Sequence, residues 1–187
     1  MEIRLAVGLG NPGNEYADTR HNAGFWWIDR LASIEGASLR LDAKMHGIAG
    51  KAGDVWLLKP QTYMNASGRA VSALCRFYRI PPTQILVIHD ELDLEPGTVK
   101  LKLGGGLGGH NGLKDISVHL GTQDFWRLRL GIGHPGDKRV VADFVLKCPS
   151  RQEDELIKDA ISRSLESWPL IASGQQQAAM LKLHTRN

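Results

Sequence analysis

Three short apolar runs, over residues 3–9, 55–58 and 84–89, constrain this fold more than anything else in the chain. A strand turns alternate side chains to its two faces, so a run that is apolar throughout expects cover on both. Between the runs the apolar spacing becomes helical. Phe25, Ile28, Leu31 and Ala32 follow Asn22, a candidate helix cap, and Val71, Leu74 and Phe77 or Tyr78 follow Ser67. Residues 98–103 and 127–132 alternate instead, with Val99, Leu101 and Leu103 set against Lys100 and Lys102, and Leu128, Leu130 and Ile132 against Arg127 and Arg129. Such strands keep one wet face. Further helical patterning covers 113–120, 152–165 and part of the tail to Leu183. The alternation predicts an α/β fold: a single three-layer domain over 1–187, with a twisted mixed sheet flanked by helices.

With 187 residues, 42% of them apolar, the chain suffices for one well-buried core and is short for two. A net charge of +3 permits an anionic partner without demanding one. Two cysteines, Cys75 and Cys148, give no disulfide framework and fit a reducing, cytoplasmic setting. Residues 1–7 lack the basic-then-apolar pattern of a signal segment, and no stretch approaches the ~18 apolar residues of a membrane span. No internal repeat or linker interrupts the sequence.

Asn11, Asn65 and Asn111 each sit in a turn-forming or glycine-rich segment beside an apolar run, and His21 and Asp90 occupy equivalent junctions. In an open α/β sheet the ligand crevice lies beyond the carboxyl ends of the strands, where Asn11, Asn65 and Asp90 are predicted to fall. A carboxylate that orients an imidazole raises the basicity of its other nitrogen, which can then take a proton from water. Neutral amides suit a polar backbone substrate. Gly8-Leu9-Gly10-Asn11-Pro12-Gly13 has the G-x-G-x-x-G spacing of a dinucleotide site, but Pro12-Gly13-Asn14 prolongs a turn where that motif opens a helix. His89-Asp90-Glu91-Leu92-Asp93 is dense in ligand types, yet His89 and Asp90 alternate along a strand, so no metal is expected. Ser67 lacks a nucleophile elbow and reads as a cap. Lys100, Lys102, Arg127 and Arg129 would form a patch suited to a phosphate backbone if their strands are neighbours, with Lys114 and Lys138 extending it. Gly104–Gly109 is too flexible for a regular element and permits close approach of a ligand.

Six ordered blocks, from Val7-Gly8-Leu9-Gly10-Asn11-Pro12-Gly13 with Tyr16, through Thr19-Arg20-His21-Asn22-Ala23-Gly24, Lys59-Pro60-Gln61-Thr62-Tyr63-Met64-Asn65, His89-Asp90-Glu91-Leu92-Asp93 and Gly109-His110-Asn111-Gly112-Leu113-Lys114, to Arg129-Leu130-Gly131-Ile132-Gly133-His134-Pro135, resemble the bacterial-type peptidyl-tRNA hydrolases. Residues 33–56 and the tail after Cys148 are less diagnostic. The resemblance implies a monomeric, cytoplasmic esterase without metal or cofactor. It would cut the ester between a peptide and the 3′-terminal ribose of tRNA and so return tRNA to translation. His21 would be the general base and Asp90 its orienter; Asn11 would distinguish blocked from free aminoacyl groups. Asn65 and Asn111 would bind the peptide backbone and position water, and Tyr16, Tyr63 and Met64 would line the site. Lys102 and Arg129 match cations that grip an acceptor-end phosphate. A non-enzymatic tRNA- or RNA-binding domain is the alternative.

Overall fold

Each continuous apolar run becomes an interior strand. The computed structural model describes residues 1–185, so the last two residues of the predicted 1–187 domain lie outside the described residues. The strands are β1 (Leu5–Gly8), β2 (Arg40–Asp42), β3 (Gly47–Ala52), β4 (Val55–Pro60), β5 (Ile85–Glu91), β6 (Val99–Leu103) and β7 (Trp126–Gly131). The helices are α1 (Ala23–Glu35), α2 (Ser67–Tyr78), α3 (Asn111–Leu120), α4 (Val141–Val145), α5 (Arg151–Glu166), α6 (Trp168–Ala172) and α7 (Gln176–His184). Among the described residues the strands join in one mixed sheet of order β2-β3-β4-β1-β5-β7-β6. Its centre, β4-β1-β5-β7, is parallel, and β3 and β6 add antiparallel edges on which β2 extends one side.

Side-chain alternation divides the core into two layers. Leu5 and Val7 of β1, with Ile85 and Val87 of β5, pack against Val71 and Leu74 of α2 and Ile116 of α3. Ala6, Leu86 and Ile88 turn the other way, onto Trp27, Ile28 and Leu31 of α1. Both faces of the central strands are therefore dry, as their composition predicted. Val99 and Leu101 of β6 and Leu128 and Leu130 of β7 join the α1-side cluster with Ile157 and Ile161 of α5 and Leu183 of α7. The opposite face of this pair carries the cations, with Lys100 facing Arg129 and Lys102 facing Arg127 across the strands.

β2, β3 and α4 carry little sequence signal. β3 reads Gly-Ile-Ala-Gly-Lys-Ala, where small residues replace the bulky β-formers that mark a strand. A Cβ on Gly50 would run into the Ser38 carbonyl, so close backbone passage explains that composition. On α2, Phe77 is exposed, and Tyr78 is the residue that packs, stacked on Trp56 with centroids 4.4 Å apart. Ser67 opens α2 but does not cap it: its buried hydroxyl donates to the Met64 carbonyl at 2.7 Å.

One close approach positions the chemistry. An added Cβ on Gly24 would collide with the Ile88 carbonyl and the backbone of Leu9, and one on Gly8 with the Gly24 carbonyl. The first turn of α1 therefore lies directly on β1 and β5, which brings His21, two residues before that helix, to the carboxyl end of β5. Gly8 of the first block and Gly24 of the second thus serve helix–strand packing.

Candidate active site

Strands β1, β4 and β5 are parallel, so Asn11, Asn65 and Asp90 emerge at the same edge of the sheet. His21 sits in a 3₁₀ turn, Arg20–Asn22, leading into α1. Its Nδ1 lies 2.8 Å from Asp90 Oδ2, while His110 Nε2 lies 2.9 Å from Asp90 Oδ1. His110 is the N-cap of α3, and its Nδ1 accepts from the Gly112 and Leu113 amides at 3.1 and 3.3 Å. An Nδ1 that accepts carries no proton, so His110 donates from Nε2 to Asp90. Asp90 is then an anion holding two donors, and the Nδ1 proton of His21 leaves its Nε2 lone pair free.

The electrostatics agree with this proton placement. Burial alone would depress the His21 imidazole, but the charge of Asp90 and its hydrogen bond outweigh burial and the net displacement is upward. Burial likewise opposes ionisation of Asp90, yet the attraction of His21 and His110 and the hydrogen bonds they donate hold its carboxyl well below the usual range. His89 differs in kind. Burial, followed by the electrostatic influence of the neighbouring His110 ring, pushes it down to about 4, and its Nδ1 donates to the Asp90 carbonyl at 2.8 Å. It is a neutral core histidine.

The amides form a second set. The Oδ1 of Asn11 accepts from the Met64 amide at 2.7 Å, which fixes the flip of the side chain and leaves its NH₂ as the donor. Asn22, predicted as a helix cap, makes no capping bond. Its buried amide instead accepts from Asn11 N at 2.8 Å and donates to Asn11 O at 3.0 Å, clamping that backbone. Met64 is buried, whereas Asn65 and Tyr63 beside it are exposed; Tyr16 meets Tyr63 edge to face at 6.5 Å. Asn111, the exposed first residue of α3, borders a hollow of about 270 Å³ with His21, Asp90 and His110. Lys138 lines this same hollow rather than extending the β6–β7 cations.

Lys102 and Arg129 line an adjacent hollow of about 190 Å³ under the glycine-rich loop. Arg127 borders the same hollow, but its terminal nitrogens are taken. Its guanidinium is buried, lies over Phe125, and donates to the Gly106 carbonyl at 2.6 Å and the Gln123 carbonyl at 3.0 Å, which ties the loop down. A larger hollow of about 540 Å³ between α5, α7 and the loop before β6 has none of the histidines or asparagines on its wall.

His21, Asp90 and His110 offer ligand atoms within 4.8 Å of one another, a spacing that also suits a cation. Two shared protons already join them, however, and a divalent ion would have to displace both. Sequence reasoning missed the part played by His110 and Asn22. The signals for His110 were its place in the Gly109–Lys114 block and just before a helix, a capping position at which histidine is not among the preferred residues.

The model of the family described as peptidyl-tRNA hydrolase matches residues 5–187. A peptidyl-tRNA hydrolase of Nitrosospira multiformis is 64% identical over 188 residues, covering 98% of either chain. That of Nitrosomonas eutropha is 58% identical, over 100% of this chain and 97% of its own. A crystal structure of peptidyl-tRNA hydrolase from Acinetobacter baumannii superposes with a TM-score of 0.96 at 49% identity, over 99% of this chain and 96% of that one. Sequence and backbone thus agree across nearly the whole length, and the chain belongs to the peptidyl-tRNA hydrolase family.

Proposed function

We propose that this protein hydrolyses the ester joining a peptide, or an N-blocked aminoacyl group, to the 3′-terminal ribose of tRNA, acting as a monomeric, cytoplasmic, single-domain enzyme without metal or cofactor. The observation that carries the reading is the proton arrangement around Asp90, which leaves His21 Nε2 as a free base at the hollow that Asn111 borders. His21 Nε2 takes a proton from water as the water attacks the ester carbonyl; Asp90 stabilises the imidazolium that forms, and the imidazolium returns the proton to the ribose oxygen as the acyl–oxygen bond breaks. His110 holds the second oxygen of the carboxylate, so that Asp90 keeps its charge and orientation.

An ester has a better leaving group than an amide, so a base, its orienter and hydrogen-bond donors suffice without a covalent intermediate. The Asn11 NH₂, left as a donor by the Met64 contact, senses whether the aminoacyl nitrogen is blocked. Asn65 and Asn111 bind the peptide backbone, with Tyr16, Tyr63 and Met64 as walls that make no demand on side-chain identity. Lys102 and Arg129 hold a phosphate of the acceptor end.

The test is to incubate the pure protein with N-acetyl-aminoacyl-tRNA and with unblocked aminoacyl-tRNA, in the presence of chelator, and follow ester cleavage. Cleavage of the blocked ester alone is expected. Binding of tRNA without release of any acyl group would instead establish an RNA-binding domain, and loss of activity in chelator would overturn the metal-free mechanism.

A further inference from the structure

Glu91 holds Arg129 by one nitrogen. Its Oε1 accepts from Arg129 Nε at 2.9 Å, and neither terminal nitrogen of that guanidinium forms a hydrogen bond among the described residues. The pair is sheltered, with side chains 13% and 21% exposed. Glu91 follows Asp90 on β5 and, with Gly108, borders both the hollow of His21 and the hollow of Lys102 and Arg129. Two consecutive carboxylates at one strand end thus engage different partners, Asp90 an imidazole and Glu91 a guanidinium.

We infer that Glu91 is a positioning residue for the phosphate grip: it fixes the plane of the Arg129 guanidinium through Nε and leaves the two terminal nitrogens as an open fork for the oxygens of a nucleic-acid phosphate. This rests on the reading of Lys102 and Arg129 given above. A free arginine loses rotamer freedom when it binds, whereas one already held at Nε loses less and presents its donors in the bidentate geometry that phosphate requires. The carboxylate charge works against the incoming anion while its hydrogen bond works for it. A neutral isostere separates the two effects.

The experiment measures kcat and KM for N-acetyl-aminoacyl-tRNA and for a phosphate-free N-blocked aminoacyl ester of adenosine, over a salt series. Wild type, Glu91→Gln, Glu91→Ala and Arg129→Ala are compared, with thermal melts as the check on folding. Glu91→Ala is expected to raise KM for the tRNA ester roughly three- to tenfold relative to the adenosine ester, with a small change in kcat. Glu91→Gln, whose carbonyl still accepts from Nε, returns KM to the wild-type value or below it and steepens its dependence on salt.

A Glu91→Ala enzyme whose KM equals or falls below that of wild type would show Glu91 to be a competitor of the phosphate, and Glu91→Gln as poor as Glu91→Ala would show that orientation is not what it supplies. If Glu91→Ala melts early, Glu91→Gln decides alone, and a raised KM there overturns the inference. Arg129→Ala without effect on the tRNA ester overturns the phosphate grip itself. A loss in Arg129→Ala with none in folded Glu91→Ala overturns only the role of Glu91.

Discussion

His110 Nε2 lies 2.9 Å from Asp90 Oδ1, the carboxylate oxygen that His21 leaves free. Because two backbone amides occupy the other nitrogen of His110, its tautomer is set by the start of α3 rather than by the ligand. One helix end therefore helps to hold a carboxylate on β5 ionised, and that carboxylate in turn raises the basicity of an imidazole at the start of α1. Three elements distant in sequence share two protons.

Replacing His21 by Ala is expected to lower kcat on N-acetyl-aminoacyl-tRNA by about 10²- to 10⁴-fold, the usual contribution of a positioned general base. Affinity for the tRNA, read by filter binding, is retained. Turnover within a few-fold of wild type would move the base elsewhere.

Asp90→Asn removes the charge that raises the His21 pKa. In the wild type, activity declines as pH falls through that raised value, because the imidazole becomes protonated. In the variant the declining limb moves to lower pH, since the imidazole binds its proton less tightly, and the plateau drops because the tautomer is no longer enforced. A pH-rate profile that keeps both its position and its height would remove Asp90 from the mechanism.

Lys102→Ala and Arg127→Met should separate a ligand contact from a structural one, although the two residues face each other across the strands. Lys102→Ala raises KM for the tRNA ester and reduces its salt slope, with little change in melting temperature. Arg127→Met leaves the Gly106 and Gln123 carbonyls without their donor and destabilises the fold by about 1–3 kcal/mol. Equal salt slopes in Lys102→Ala and wild type would count against the phosphate contact.

His89 makes the fold sensitive to acid. Its folded pKa, about 4, lies below the ordinary 6.5, so between those values the unfolded chain takes up a proton that the folded chain refuses. Its full stability is present above pH 6.5 and declines toward pH 4, by roughly 3 kcal/mol at most. Urea unfolding at pH 7 and pH 4.5 should show a smaller loss in His89→Gln than in wild type; identical losses would mean that other groups carry the acid sensitivity.

Gly24→Ala places a methyl group against the Ile88 carbonyl and the Leu9 backbone, neither of which can swing aside. A stability loss of about 1–3 kcal/mol is expected, together with reduced kcat, because the start of α1 carries His21. An unfolding midpoint equal to that of wild type would show that α1 can lift from the sheet without penalty.

Much of this architecture is local in origin and was therefore legible in the sequence. The apolar runs through Leu5, Leu57 and Leu86 specify interior strands because strand side chains alternate, and the helical spacing of Ile28, Leu31 and Ala32 specifies a layer that covers one face of them. Parallel strands imply a common carboxyl edge, which is why Asn11, Asn65 and Asp90 could be grouped before any contact was known. The strand β3 stayed hidden because its glycines answer to close neighbours, Ser38 at Gly50 and Leu58 and Lys59 at Gly47, rather than to a propensity.

Sequence alone also marked His21 and Asp90 as candidate partners and Lys100, Lys102, Arg127 and Arg129 as one strand face. Only the tertiary structure decided which of those cations stay available: Arg127 is spent on loop carbonyls, Arg129 is held at Nε by Glu91, and Lys102 remains beside them. It likewise turned Asn22 from a presumed cap into a clamp on Asn11, and His110 from a loop residue into the second donor to Asp90. Periodicity records which face a side chain occupies, because that depends on its own backbone. Which partner takes its hydrogen bond depends on atoms many residues away, and only the folded chain brings those within 3 Å.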